Sequence, residues 1–170
     1  MSVVILAIVF TSLVIGSWVI IRFKSNTFRS VTLGWKLLWL SGLMFVPGGM
    51  IWIMKWQPLS GPYMVGEKYP FGNYVNAWEV SMGFAFVAFG VLFAEASILV
   101  CKSKNRLSWV GLLISWVLLM FPHALIGVTF VLDDPSLASL GISANAIPFA
   151  VIWFLIVFSG FVLSGREVIP

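Results

Sequence analysis

One histidine and two glutamates are the residues of this chain that could carry out acid–base chemistry in apolar surroundings. His123, the single histidine, lies in the stretch LLMFPHALIG directly after Pro122. Glu79 and Glu95 lie in the apolar run NAWEVSMGFAFVAFGVLFAEA. Histidine titrates near neutral pH, and Pro122 leaves a backbone carbonyl of its helix without its usual donor. A structural hydrogen bond to such a carbonyl or to Glu79, and a proton-relay pair of His123 with Glu79, are therefore the two interpretations of this histidine.

These residues are too few to hold a cofactor within this chain alone. One histidine cannot supply both ligands of a bis-histidine haem, and no His, Asp or Glu cluster offers three zinc or copper ligands. The single cysteine, Cys101, cannot form an intrachain disulfide. We therefore predict no metal or cofactor of its own and no complete catalytic set, with Glu79 and His123 as candidate catalytic residues. A quinone, haem or metal shared at a subunit interface stays open.

Long apolar runs are the elements that must position these residues. Of 170 residues, 61% are hydrophobic and 9% are charged, whereas a soluble domain carries roughly 25% charged residues. A helix needs about 20 residues to cross the hydrocarbon core. We predict an all-α fold, a polytopic membrane helical bundle that forms one transmembrane domain over residues 1–170. Its five predicted transmembrane helices are 3–21, 33–54, 75–101, 107–132 and 146–163.

The second run is interrupted by the sequence MFVPGGM, which contains Pro47 and two glycines. Proline inside a helix removes a backbone hydrogen bond and clashes with the preceding turn, so this run is predicted to kink or break. Four transmembrane helices with a re-entrant segment is therefore the alternative to five.

The basic residues predict the orientation of the helices. Eight of the ten Lys and Arg residues fall on one side of a five-helix arrangement. Because cytoplasmic loops carry the excess of Lys and Arg, we predict a cell-membrane protein with its N-terminus outside and its C-terminus cytoplasmic. The positive charge thus reflects topology, and nucleic acid is not an expected partner. The eight residues are Arg22, Lys24, Arg29, Lys36, Lys102, Lys104, Arg106 and Arg166.

The segment 55–74, between the second and third runs, is predicted to be an ordered outer loop. It combines prolines, glycines and aromatic residues, a composition that makes turns rather than a helix. Trp and Tyr also favour the headgroup level of a membrane. The two interpretations are an interfacial aromatic belt and a cap that docks another subunit. The residues predicted to meet lipid or a partner are Trp56, Tyr63, Tyr69, Phe71, Tyr74 and Trp78.

The third run carries a stripe of small residues close to the face of Glu79. Gly83, Gly90 and Ser97 recur at helical spacing. Small side chains let the backbone of a second helix approach closely in a membrane. We predict that these three residues pack against another helix and that the third helix lies centrally in the bundle.

The opposite face of the same run carries charge near its cytoplasmic end. Glu95 lies about 160° around the helix from Glu79 and shares its face with Lys102 and Arg106. A carboxylate there can extend to the interface and pair with cations. We predict cytoplasmic ion pairing of Glu95 with Lys102 and Arg106, and proton handling by Glu95 is the alternative.

Two stretches resemble a known grouping of small membrane proteins. GLMFVPGGMIWIMKWQP is similar to the Gly-rich opening helix and following loop of DoxX-like proteins, and NAWEVSMGFAFVAFGVLFAEA with FPHALIG is similar to their later helices. The similarity covers about residues 33–130, and the additional N-terminal helix departs from the usual four-helix form. The resemblance implies association with membrane redox systems and quinone-linked oxidation. It carries over no catalytic residue.

These observations favour an accessory or structural subunit of a larger membrane complex, associated with redox chemistry. Its expected partners are the lipid bilayer and other membrane protein subunits, and no catalytic activity is expected from the chain alone. One alternative is a small membrane enzyme that acts on a lipidic or quinone-like substrate through Glu79 and His123. A second alternative is a small carrier.

Overall fold

Helices make up almost all of the chain that the structure describes. The computed structural model describes the backbone of residues 3–54, 72–133 and 142–169, and these ranges contain no strand. Side chains within them are described except at positions 3–8, 11, 51–54, 72–80, 130, 131, 133, 142 and 143. The all-helical prediction is therefore confirmed over the described residues.

Seven α-helices and one π-helical segment follow one another along the described residues. The first three helices are α1 (Val3–Lys24), α2 (Asn26–Arg29) and α3 (Leu33–Met54). The longest helix is α4 (Gly72–Ser103), and it is followed by α5 (Arg106–Ser115), the π-helical segment Trp116–Met120 and α6 (Phe121–Asp133). The last helix is α7 (Ile142–Val168).

Three stretches of these helices are long and apolar enough to cross a membrane. They are Ser81–Ser103, Arg106–Thr129 and Ala144–Val168. The three fall on the predicted third, fourth and fifth transmembrane helices. Helices α1 and α3 match the first two predicted runs closely in their bounds. The count of five membrane crossings stays a prediction.

Helix α3 continues through Pro47. It runs without interruption from Leu33 to Met54, with the proline inside it. The break that the sequence offered as one outcome is therefore not present. A proline inside a helix removes one N–H donor, and α3 continues on both sides of Pro47.

The predicted fourth helix has a local change of helical type. From Trp116 to Met120 the backbone is π-helical, and the N–H of Phe121 donates to the carbonyl of Trp116, five residues earlier. Pro122 follows at once, and its ring would clash with the carbonyl four residues back in an α-helix. A wider turn relieves this clash, so the proline explains where the segment lies.

The chain divides into two compact units. Unit 1 comprises residues Met1–Arg29 and Val46–Ala88, and unit 2 comprises Ser30–Phe45 and Phe89–Pro170. In unit 1, a turn at Ser25 separates α1 from α2: its backbone N–H and its hydroxyl both donate to the Arg22 carbonyl, at 3.0 and 2.7 Å. Buried Phe28 then packs edge-on against Phe23, with ring centroids 5.0 Å apart.

One face of α7 is the centre of packing in unit 2. The buried residues of this helix recur every three or four positions, which is the period of a single helical face. This face meets α3 at Leu38 and Ser41, α4 at Phe93, and α5 at Trp109. The buried residues of the face are Trp153, Val157, Gly160, Phe161, Ser164, Gly165 and Val168.

Candidate functional site

Two tryptophans tie α7 to its neighbours in unit 2. The indole N–H of Trp109 donates to the Ser164 hydroxyl at 2.9 Å, and that of Trp153 donates to the Ser41 backbone carbonyl, also at 2.9 Å. Both bonds are buried. A polar group in hydrocarbon must find its partner within the protein, so these bonds fix which faces of α3, α5 and α7 meet.

A cluster of aromatic rings surrounds Trp116 in the π-helical segment. Its ring centroid lies 5.6 Å from that of Phe121, 6.0 Å from Trp153, 5.9 Å from Phe154 and 5.8 Å from Phe161. Its indole N–H is buried and has no hydrogen-bond partner among the residues that the structure describes. The cluster therefore holds the π-helical segment to α7 by ring packing rather than by a hydrogen bond.

His123 bonds to the backbone of its own helix. Its Nδ1 lies 2.5 Å from the carbonyl oxygen of Leu119, one turn earlier. Because a carbonyl oxygen can only accept, Nδ1 carries the hydrogen and donates it. The half-buried ring also meets Phe89 of α4 edge-on, with centroids 5.5 Å apart. The sequence suggested Glu79 or a carbonyl that Pro122 frees; the freed carbonyl is that of Leu118, four residues before the proline, so the bonded Leu119 carbonyl is its neighbour along the helix.

The other candidate of the acid–base pair cannot be placed beside it. Glu79 lies in α4, but its side chain is outside the described residues. The side chains of Tyr74 and Trp78 are also outside the described residues. Most of the predicted outer loop lies wholly outside the described part of the chain, and with it Trp56, Tyr63, Tyr69 and Phe71.

The small-residue stripe of α4 lies at close helix approaches. A Cβ added at Gly90 would come within 2.5 Å of the Gly42 carbonyl oxygen, and one added at Gly42 within 2.6 Å of the Gly90 oxygen. In unit 1, a Cβ added at Gly49 would lie 2.5 Å from the Gly83 oxygen. Ser97 is fully buried and donates to the Ala94 carbonyl at 2.7 Å. Helices α3 and α4 therefore approach at distances that only glycine allows.

One end of unit 2 gathers the ends of three helices around Glu167. Its carboxylate accepts hydrogen bonds from the Thr32 hydroxyl and, at 3.3 Å, from the Trp35 indole N–H. The thiol of Cys101, near the end of α4, lies close to the backbone of Thr32 and to the Glu167 carboxylate. The start of α3, the end of α4 and the end of α7 therefore meet here.

The predicted ion-pair residues lie towards this same end. Lys102 and Arg106 are exposed, and Glu95, two turns deeper, is half-buried. The turn between them is well defined: Lys104 has φ 47°, and the Asn105 side chain caps α5 by accepting from the N–H groups of Leu107 and Ser108 at 2.8 and 3.3 Å. Asparagine at this N-cap position explains where α5 begins.

Helix α5 also presents an open face of small residues. Ser108, Gly111 and Ser115 share one side of the helix and are exposed. A Cβ added at Gly111 would meet nothing within 4 Å. Gly42 and Gly90 each face another backbone, whereas Gly111 faces open space in this chain.

The sequence did not single out the residues that tie α7 to its neighbours. Ser41, Ser164, Trp109 and Trp153 were part of apolar runs and carried no motif. One signal was available: Gly160 and Ser164 are small residues four apart, a spacing that favours close helix packing in membranes. Nothing in the sequence alone paired either tryptophan with a serine.

Comparisons with known proteins find no protein similar to this chain. A scan against protein-family models finds no match, and searches of curated proteins and of solved structures find none either. Among the described residues, no three His, Cys, Asp or Glu side chains lie together as a metal site requires.

Proposed function

We propose that this chain is an integral cell-membrane protein of five transmembrane helices that serves as an accessory or structural subunit of a larger membrane complex. The observation that carries this proposal is the low burial of the helical stretch Arg106–Thr129. Of its most apolar part, 17% is buried, against 39% for Ser81–Ser103. A large apolar surface of this kind must be covered by lipid or by another protein.

The use of polar side chains within unit 2 supports a structural role. The indoles of Trp109 and Trp153 bond neighbouring helices, and His123 bonds its own helix. Ser41 and Ser97 donate to carbonyls three residues back, at 2.6 and 2.7 Å. These bonds stabilise helices and the contacts between them, as expected for side chains with a structural role.

The open face of α5 favours another protein, rather than lipid alone, as the neighbour of the exposed surface of Arg106–Thr129. Small residues are enriched where membrane helices touch, because they let two backbones approach. In this chain Gly42 and Gly90 follow that rule within unit 2. Ser108, Gly111 and Ser115 have the same chemistry on a face that no described residue covers. We infer that a transmembrane helix of another subunit packs there.

The redox association rests on the resemblance to DoxX-like proteins. A quinone, haem or metal of such a redox system would belong to the interface between this chain and a partner rather than to this chain alone. His123 and the side chain of Glu79 are the ionisable groups of this chain that such an interface would bring into use.

Purification in a mild detergent tests the proposal. A tagged chain should co-purify with larger membrane subunits in fixed stoichiometry, measured by native mass spectrometry. Gly111→Leu should weaken that association because its side chain fills the space a helix would occupy. Ser159→Leu is the matched control, since Ser159 is also an exposed small residue, on α7, and it should leave the association unchanged.

Two results would contradict the subunit proposal. One is a monodisperse chain with no protein partner in several detergents and in native nanodiscs. The other is an isolated chain that retains a lipidic or quinone-like molecule and converts it, with activity lost on substitution of His123. The second result would instead support the small-enzyme alternative.

A further inference from the structure

Four exposed cations form what we call the basic rim of unit 2: Lys102, Lys104, Arg106 and Arg166. The first three lie at the turn between α4 and α5, and Arg166 lies in the last turn of α7. The Trp109–Ser164 bond holds these two places together, because Trp109 is one turn from Arg106 and Ser164 is two residues from Arg166. The rim is therefore one surface at one end of the unit.

The rim is built on a fixed backbone. The Asn105 side chain caps α5 between Lys104 and Arg106. Gly165, next to Arg166, packs against the Trp109 ring, where an added Cβ would lie 3.1 Å from the indole. The cations thus project from positions that the fold determines, although their side chains remain free to extend.

The negative charge at this end is smaller than the positive charge. Glu167 is exposed beside Arg166, and its two carboxylate oxygens accept from Thr32 and Trp35. The four cations of the rim therefore outnumber the two carboxylates towards this end, Glu167 and the half-buried Glu95, and the Glu167 carboxylate is already held by Thr32 and Trp35. A ligand with a negative headgroup would complement the surplus.

Exposed apolar side chains lie directly beneath the cations. Leu99 is 61% exposed, three residues before Lys102, on the same face of α4 and about 4.5 Å deeper. Below Arg166, Val162 and Phe158 follow at intervals of four residues and are 41% and 57% exposed. Lys102 and Arg166 therefore each have exposed apolar side chains beneath them, Leu99 on α4 and Val162 with Phe158 on α7, and we call these two patches the apolar tracks.

We propose that the basic rim binds the headgroup of an anionic phospholipid, with the acyl chains lying along the apolar tracks beneath Lys102 and Arg166. A phospholipid has the same two parts in the same order: a charged phosphodiester, then hydrocarbon. A soluble acidic protein would match the cations but would leave the exposed leucine, valine and phenylalanine uncovered. The site rests on the proposed membrane placement, which puts this end at the cytoplasmic surface.

Lipid retention by the purified chain tests the site. The chain is equilibrated with equal amounts of phosphatidylglycerol and phosphatidylcholine in detergent, and bound lipid is counted by native mass spectrometry. We expect preferential retention of phosphatidylglycerol, weakened by high salt because exposed charges are screened. The variant Lys102→Gln/Lys104→Gln should lose roughly tenfold in affinity, since each cation near a lipid surface contributes several-fold.

The matched control is Lys55→Gln/Lys68→Gln, which removes the same two charges of the same type from the opposite predicted side. It should retain phosphatidylglycerol like the unaltered chain. Circular dichroism checks that both variants are folded, and Arg106→Gln/Arg166→Gln provides a second variant of the rim. Inorganic phosphate at millimolar concentration should leave the lipid bound, because phosphate lacks the chains that contact the tracks.

Three results would overturn the proposal. These are equal retention of both lipids, equal losses in the rim and control variants, or displacement of the lipid by inorganic phosphate. Because the measurement uses the isolated chain, it succeeds or fails whether or not a protein complex is found. A missing complex would count against the subunit role alone.

Discussion

Single tryptophans of unit 2 differ in what their indole N–H groups contact. Trp109 and Trp153 each donate to an oxygen on another helix. Trp116 is as buried as Trp109, each being 9% exposed, yet its N–H meets no hydrogen-bond acceptor among the described residues. It lies within a cluster of rings, whose faces are electron-rich and offer a weak alternative to an oxygen acceptor. Two equally buried indoles thus differ in one hydrogen bond.

This difference predicts unequal effects of the same substitution. Trp109→Phe should destabilise the protein by about 1 kcal/mol more than Trp116→Phe, because only the first removes an interhelical hydrogen bond. The two variants lose the same atoms from equally buried sites, so each is the control for the other. Unfolding in mixed micelles measures both, and a larger loss for Trp116→Phe would show that its N–H has an acceptor.

His123 is held by the carbonyl of Leu119 and by the ring of Phe89. Glutamine at this position keeps a donor, whereas leucine keeps only bulk. We expect His123→Leu to destabilise the protein by about 1 kcal/mol and His123→Gln by less. Any haem absorption or bound metal of an assembled complex should be unchanged by His123→Gln. Its loss would instead identify the ring as a ligand at a subunit interface.

Two sequence features determine the helices of this protein. Apolar runs determine where the long helices lie, and small residues determine which helices pack together. The run lengths predicted the positions of the long helices, because hydrocarbon requires all backbone groups to bond within the segment. The glycines then determine which helices touch. Gly42 and Gly90 bring α3 and α4 into backbone contact within unit 2, while Gly111 leaves a face of α5 open.

A single added methyl group should therefore have opposite effects at two glycines. Gly90→Ala should destabilise the isolated protein by about 1–3 kcal/mol, because the new Cβ would overlap the Gly42 carbonyl. Gly111→Ala adds the same methyl in open space and improves helix propensity, so it should be neutral or stabilising. Thermal unfolding in detergent measures both. Equal losses would mean that the α3–α4 contact is not limited by glycine.

Sequence patterns predicted elements better than they predicted contacts. The run 107–132 gave a helix in the right place, but the π-helical segment within it depends on how the chain accommodates Pro122, and a proline can also kink or end a helix. Likewise the Gly83, Gly90 and Ser97 stripe indicated a packed face without naming α3 as its partner. Partner choice depends on packing between residues far apart in sequence, which periodicity does not encode.

Contacts of the acid–base candidates were likewise harder to predict from the sequence than their positions. The position of His123 after Pro122 predicted a carbonyl that the proline frees, which is that of Leu118, four residues before it, whereas the ring bonds the next carbonyl, that of Leu119. Its contact with Phe89 joins residues 34 positions apart in sequence and had no local signal. The Trp109–Ser164 bond, between residues 55 positions apart, is of the same kind.

The basic residues of the whole chain are distributed unevenly, and this distribution predicts its orientation in the membrane. Eight of its ten basic residues lie on one side of the predicted five-helix arrangement, and the four cations of the basic rim are exposed at one end of unit 2. Cytoplasmic loops retain such charges, so the turn at Lys104 is expected in the cytoplasm and residues 55–74 outside. This predicted arrangement has an odd number of membrane crossings.

Cysteine labelling in intact cells measures that arrangement directly. After Cys101→Ser removes the native thiol, a Lys104→Cys variant should resist a membrane-impermeant maleimide and react once the cells are permeabilised, since position 104 is exposed. A Ser60→Cys variant in the same background should react in intact cells, which controls for expression and reagent activity. Reaction of the Lys104→Cys variant from outside would reverse the topology. Protection of both variants in intact cells would put both segments on the same side, which requires an even number of crossings between them instead of the single crossing by α4.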